Sequence, residues 1–134
     1  MSNPIFEEIA RRVGKAERSL RNMGGDVPPF DLDSEAVMAL ITASQNDYEL
    51  PNTDVVYVSS NLACNITGFS GGRKGRHIEI WNSGGYVFTI LHQSSLSVPY
   101  NRILSYTGAS LTLSPNMRIV LYYDITIARW RYGG

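Results

Sequence analysis

The chain has 134 residues, 43% hydrophobic and 18% charged, with twelve Lys/Arg against twelve Asp/Glu. That size and balance fit one globular domain with an appendage. A pI near 6.7 argues against a basic nucleic-acid footprint, no apolar run approaches the roughly 20 residues of a membrane span, and a lone cysteine, Cys64, excludes a disulfide framework or a multi-cysteine metal site.

Residues 3–23 read as a helix. Asn3 is a good N-cap, Pro4 suits the first helical position, and Glu7 and Glu8 sit in the positive first turn, where an apolar signal core would otherwise stand. Gly24-Gly25 stops it. Phe6, Ile9, Val13, Ala16, Leu20 and Met23 recur at spacings of three and four, which is a coiled-coil seam. The seam is narrow and the outer faces are charged, so self-association is expected ahead of docking on the chain's own domain. A helix this short needs help from the domains it joins.

The charge is blocked along the chain. Residues 1–25 hold five Lys/Arg and three acids, residues 26–54 hold seven acids and no base, and residues 55–134 hold seven Lys/Arg with only Glu79 and Asp124. Such blocks suit segments that meet one another or neighbouring subunits. The stretch "GGDVPPFDLDSE" opens residues 26–54 as an acidic extended arm, with a first strand after it.

From there on, short β-rich runs alternate with turn signals: Val37–Ala43, Val55–Val58, Ala63–Thr67, His77–Asn82, Tyr86–His92, Ile103–Tyr106, Ser110–Leu113, Met117–Tyr123 and Ala128–Tyr132. Ile78, Ile80 and Asn82 face one way and Glu79 and Trp81 the other; Arg118, Val120 and Tyr122 alternate with Ile119, Leu121 and Tyr123. Turns at Asn82–Gly85, Thr107-Gly108 and Ser114–Asn116 stand at hairpin spacing. The expectation is a mainly β protein, an antiparallel, jelly-roll-like sandwich over residues 55–134 preceded by the helix and linker.

Candidate chemistry is sparse. "GFSGGRKGRHIEIW" has the glycines and cations of a phosphate loop, but Lys74 is followed by Gly75 and then by a strand, not by Ser/Thr and a helix. It reads as a glycine turn with Arg73 and Lys74 exposed at its tip. His77-Ile-Glu79 lacks the cysteine half of a zinc deaminase. Asp31-Leu-Asp33 has alanine where a calcium loop needs glycine. Glu79 and Asp124 are the two carboxylates that a glycosidase reading would need to bring together. No catalytic residue, cofactor or metal is assigned, and the expectation is a protein that is not an enzyme. Arg102, in "VPYNRILSY", needs a carboxylate or carbonyl partner, for which Asp124 is a candidate; Asn101 joins them as structural polar residues. Trp81, Tyr86, Tyr100 and Trp130 are candidates for a glycan-stacking or partner surface, with Arg73 and Lys74.

The order of several short motifs is familiar. Asn46-Asp47-Tyr48 is followed by Ile66-Thr67-Gly68, Gly71-Gly72 and Gly75-Arg76. Asn82 with Gly84, His92 with Ser94 and Ser95, Asn101-Arg102, Leu111 to Pro115, and Tyr123-Asp124 with Arg129-Trp130 complete the series. Over about residues 46–132 this resembles a β-domain common among virion proteins of tailed bacteriophages, in tail fibres, spikes and small head or neck appendages. Trp81 stands where that pattern has a smaller hydrophobic residue, which marks an unusual core or an interface. The resemblance implies a trimeric structural or attachment module of the virion, assembled in the host cytoplasm. Its implied partners are its own copies, other capsid, neck or tail proteins and a host-surface glycan, with no nucleic acid and no membrane insertion.

Overall fold

The computed structural model describes residues 34–132. The predicted helix, its seam of Phe6, Ile9, Val13, Ala16, Leu20 and Met23, and residues 26–33 of the acidic arm lie outside them. Eleven strands follow in chain order: β1 Glu35–Val37, β2 Tyr48–Glu49, β3 Val55–Val58, β4 Cys64–Ile66, β5 Phe69–Ser70, β6 His77–Asn82, β7 Phe88–Ile90, β8 Ile103–Ser105, β9 Leu111–Leu113, β10 Arg118–Asp124 and β11 Arg129–Tyr132. The fold is mainly β.

Its pairing departs from the antiparallel sandwich expected from the turns. Five strand pairs are parallel, β1–β3, β3–β6, β4–β7, β2–β5 and β11–β8, and three are antiparallel. Glu35 lies beside Val55, and Val55 beside Glu79. The chain therefore returns to the same sheet after 20 residues (35 to 55) and again after 24 (55 to 79), as in a stack of coils. The coils turn through the six-stranded sheet, ordered β1-β3-β6-β10-β11-β8, and through one or both of the smaller sheets, β2-β5 and β4-β7-β9. The arrangement is solenoid-like. Connections of this length allow parallel pairing that a two-residue hairpin cannot.

The last strands reverse. Antiparallel β9 lies on β7 and antiparallel β10 on β6, so they cover the third coil, and β11 folds back on β10 through the one short hairpin among these pairs. The turn at Asn82–Gly85 is no hairpin: it moves the chain from the six-stranded sheet to β7. The Asn82 side chain makes that corner, donating to the Tyr86 carbonyl at 2.7 Å and the Leu113 carbonyl at 3.0 Å and accepting from the Gly84 N–H at 3.0 Å. A fully buried amide satisfied on both ends can sit in a core where an unpaired one could not.

Period-two alternation holds within the longer strands. Ile78, Ile80 and Asn82 are buried on β6, and Ile119, Leu121 and Tyr123 on β10. In register, Val56, Ile80 and Ile119 stack across one layer, and Cys64, Phe88 and Leu113 across another. Trp130, Phe69 and Phe88 are the largest fully buried side chains. Residues 35–54, expected to belong mostly to an extended arm, form the first coil instead; the compact unit begins at Glu35. Acidic residues there do not prevent strand formation, because Glu35 and Glu49 point outward while Tyr48 and Leu50 point in.

Candidate interaction surface

The outside of the six-stranded sheet is built by the residues that alternate with the core. The register aligns Val37, Tyr57, Trp81 and Arg118 in one row, and Glu35, Val55, Glu79 and Val120 in the next. A third row holds His77, Tyr122, Arg131 and Leu104. Its polar groups are tied to one another. Glu79 pairs with Arg118 at 3.1 Å and accepts the Trp81 indole N–H, and the Arg118 guanidinium lies 5.7 Å from the Trp81 ring centre. Tyr57 donates to Glu35 at 3.3 Å, Asp124 pairs with Arg131 at 2.8 Å, and the His77 and Tyr122 rings stand 4.8 Å apart. Val37 is 82% exposed, with Val120 and Tyr122 also open to solvent.

A second feature is a polar knot under the loop from Ser94 to Arg102. Asp47 accepts the Asn101 amide and the Val98 N–H, each at 3.0 Å, while its own N–H donates to the Ser97 hydroxyl. Ser97 also shares a hydrogen bond with Thr67, which donates to Asn46. Arg102 donates to the Ser97 carbonyl at 2.9 Å. Leu96, Val98 and Tyr100 are thereby held exposed on a loop anchored in the first two coils. The Asn101 amide, helped by Val98 and Ser97 and opposed by burial, holds the Asp47 carboxyl below its ordinary value of 3.8. A depressed folded value contributes stability that is present above the unfolded value and lost as pH falls through the folded one. Unfolding by urea at pH 6 and at pH 3 should therefore show an acid loss that is smaller in Asp47→Asn; an identical loss in the variant would remove Asp47 from the cause.

The other anticipated residues scatter. Arg73 is exposed and donates to Asn52, and Lys74 and Gly75 are exposed beside it. Tyr86 is exposed at the β6–β7 corner. Tyr100 is exposed, and its carbonyl accepts the Tyr123 hydroxyl at 2.8 Å. Arg102 does not meet Asp124, because the short β10–β11 hairpin places Arg131 on that carboxylate first. Trp130 cannot be a stacking platform: it is fully buried, edge-on to Tyr123 at 5.1 Å, with its indole N–H on the Phe69 carbonyl at 2.9 Å.

Arg76 is the residue that sequence reasoning undervalued. Grouped with two exposed cations, it is instead buried, donating to the carbonyls of Gly71, Pro51 and Thr53 and lying 6.0 Å from the Trp130 ring centre. It clamps the corners that end the first and second coils. Gly71, at φ +99°, gives the left-handed backbone that aims its carbonyl at Arg76, and at Gly72 any Cβ would run into the Tyr123 ring. The one available signal was Gly-Arg immediately before a strand. Asp47 was missed as an anchor, and so were Tyr57 on the outer face and the pairing of Arg118 with Glu79 and Trp81, since their neighbours come from other coils.

A cleft of about 520 Å³ beside the first coil is lined by Met38, Leu40, Ile41, Tyr48 and Leu50, with Glu49 as its carboxylate. Glu79 and Asp124 are each engaged by an arginine. Among the described residues no group of three or more His, Cys, Asp or Glu is placed to hold a metal ion. Comparison with family models, curated proteins and solved structures gives no match for this chain.

Proposed function

We propose that the chain is a structural protein of a tailed-bacteriophage particle, an oligomeric head or neck appendage or capsid decoration protein. It is trimeric in this reading, anchored by its N-terminal region through the Phe6–Met23 seam, and it displays the solenoid-like β-domain. The observation that carries the proposal is the ordered motif series over residues 46–132. Support comes from where those residues fall. Asn46, Asp47, Thr67, Asn101 and Arg102 meet in one polar knot, and Gly71, Gly72, Arg76, Tyr123 and Trp130 meet at one coil corner. A series whose members converge on two structural joints acts as a folding signature rather than a catalytic one.

Function on this reading is assembly, with burial between subunits and complementary charge setting register. The protein should co-purify with intact particles, and deleting residues 1–25 should remove it from them while the β-domain keeps its far-UV circular dichroism. Particles that lack the full-length protein would overturn the proposal. A second reading, a saccharide-binding module of a tail fibre or spike, is favoured by exposed Tyr86 and Tyr100, 50% and 61% accessible. Binding on a glycan array, lost on replacing both with alanine, is its test.

A further inference from the structure

We propose that the outer face of the six-stranded sheet is the surface through which one copy of this chain packs on another. The inference rests on the oligomeric reading above; a face that meets its own copy makes a two-fold contact, so it pairs two chains beside the three-fold association through the N-terminal seam.

The first reason is an asymmetry between sheets. Outside the three-stranded sheet, the register aligns Asn65, Thr89 and Thr112, and outside the two-stranded sheet it aligns Glu49 with Ser70. Both surfaces are polar, as expected where a sheet faces water. The six-stranded sheet instead turns Val37, Val55, Tyr57, Trp81, Val120 and Tyr122 outward. Aromatic and aliphatic groups with arginine, and no lysine, make the composition of an interface centre.

The second reason is charge. Glu35, Glu79 and Asp124 balance Arg118, Arg129 and Arg131 on this face. A net-neutral surface with both signs interspersed complements a copy of itself, whereas a phosphate backbone wants net positive charge. The in-plane pairs Glu79–Arg118 and Asp124–Arg131 compensate four of these six charges before contact, while Glu35 accepts from the Tyr57 hydroxyl and Arg129 donates to Gln93. Trp81 has Arg118 against its ring, which makes it a poorer open platform for a sugar.

Size sets the limit. Six strands about 4.8 Å apart make a face of about 24 by 17 Å, and two such faces cover about 800 Å², short of the roughly 1,000 Å² of a specific interface standing alone. Such a face suits an assembly that has contacts elsewhere as well.

Trp81 is the probe. Trp130 is fully buried, so acrylamide quenching of the full chain reports Trp81. In a dilution series followed by light scattering, quenching of the oligomer should be about three-fold weaker than that of the dilute chain, since packing removes the ring from solvent. Val120→Lys with Tyr122→Lys, at exposed positions, should restore full quenching at every concentration while the far-UV circular dichroism of the dilute chain stays that of the native fold. An oligomer in which Trp81 is quenched as in the dilute chain would overturn the assigned face and leave the oligomeric reading standing. A monomer at all concentrations would overturn both. Protection of Trp81 in dilute protein by added N-acetylglucosamine oligomers would overturn it in favour of a saccharide site.

Discussion

Trp130→Ala should cost the β-domain about 3–5 kcal/mol of stability, the usual loss for truncating a fully buried large aromatic. That is a large part of the roughly 5–15 kcal/mol that holds a typical domain together. The indole fills space between β10, β11 and the corner after β5, touching Tyr123 edge-on and lying under Arg76. Removing it leaves a cavity and strips the Phe69 carbonyl of its donor. Trp130→Phe keeps most of the volume but not the N–H, and should lose about 1–3 kcal/mol. Urea unfolding followed by far-UV circular dichroism measures both. Trp81→Phe is the contrast: half-buried on the outer face, it should change the dilute chain by about 1 kcal/mol or less. If Trp81→Phe proves the more damaging of the two, the placement of Trp130 at the centre of the core is wrong.

Arg76→Met should destabilise the domain by about 3 kcal/mol, because three main-chain carbonyls lose a charged donor at once. The methionine retains much of the packing over Trp130, so the loss reports mainly the hydrogen bonds. Burial lowers the Arg76 pKa, with Arg73 adding to the effect and Asp54 opposing it; even so, a guanidinium keeps its proton. Arg76→Lys should fail to rescue, since one ammonium cannot span the fork that reaches Gly71 on one side and Pro51 and Thr53 on the other. The diagnostic readout is local: limited proteolysis should open the chain within residues 51–53 and 71–76 before global unfolding. Because the Arg76 guanidinium lies 6.0 Å from the Trp130 ring centre, the double substitution should cost less than the two single losses together. Strict additivity would mean that this cation–π approach contributes nothing.

How much of this was legible depends on distance along the chain. Each of the nine predicted β runs overlaps an observed strand, and their inward and outward faces follow from alternation: Ile78 and Ile80 against Glu79 and Trp81, Ile119 and Leu121 against Val120 and Tyr122. The pairs Tyr48–Glu49 and Phe69–Ser70 were not, since two residues carry no period. Asn82–Gly85 has the composition of a hairpin turn and makes a coil corner, because the Asn82 amide bonds to Leu113, 31 positions away. Arg76 reads like its exposed neighbours, and carbonyl partners from the previous coil leave no mark near it. Arg102 and Asp124 are the two isolated charges that invite pairing, yet each is taken by a nearer group.

By itself, then, the sequence determined a mainly β chain and which side chains of each long strand seek water or the core, because period-two alternation and turn composition act within a few residues. Only the tertiary structure decided that the strands stack in parallel after 20 and 24 residues, that Trp130 and Arg76 close a corner, and that Tyr57, Trp81 and Arg118 share one outer row. Those outcomes depend on which coil lies beside which, a choice made by burying all the apolar faces together, and no window of the sequence contains both partners.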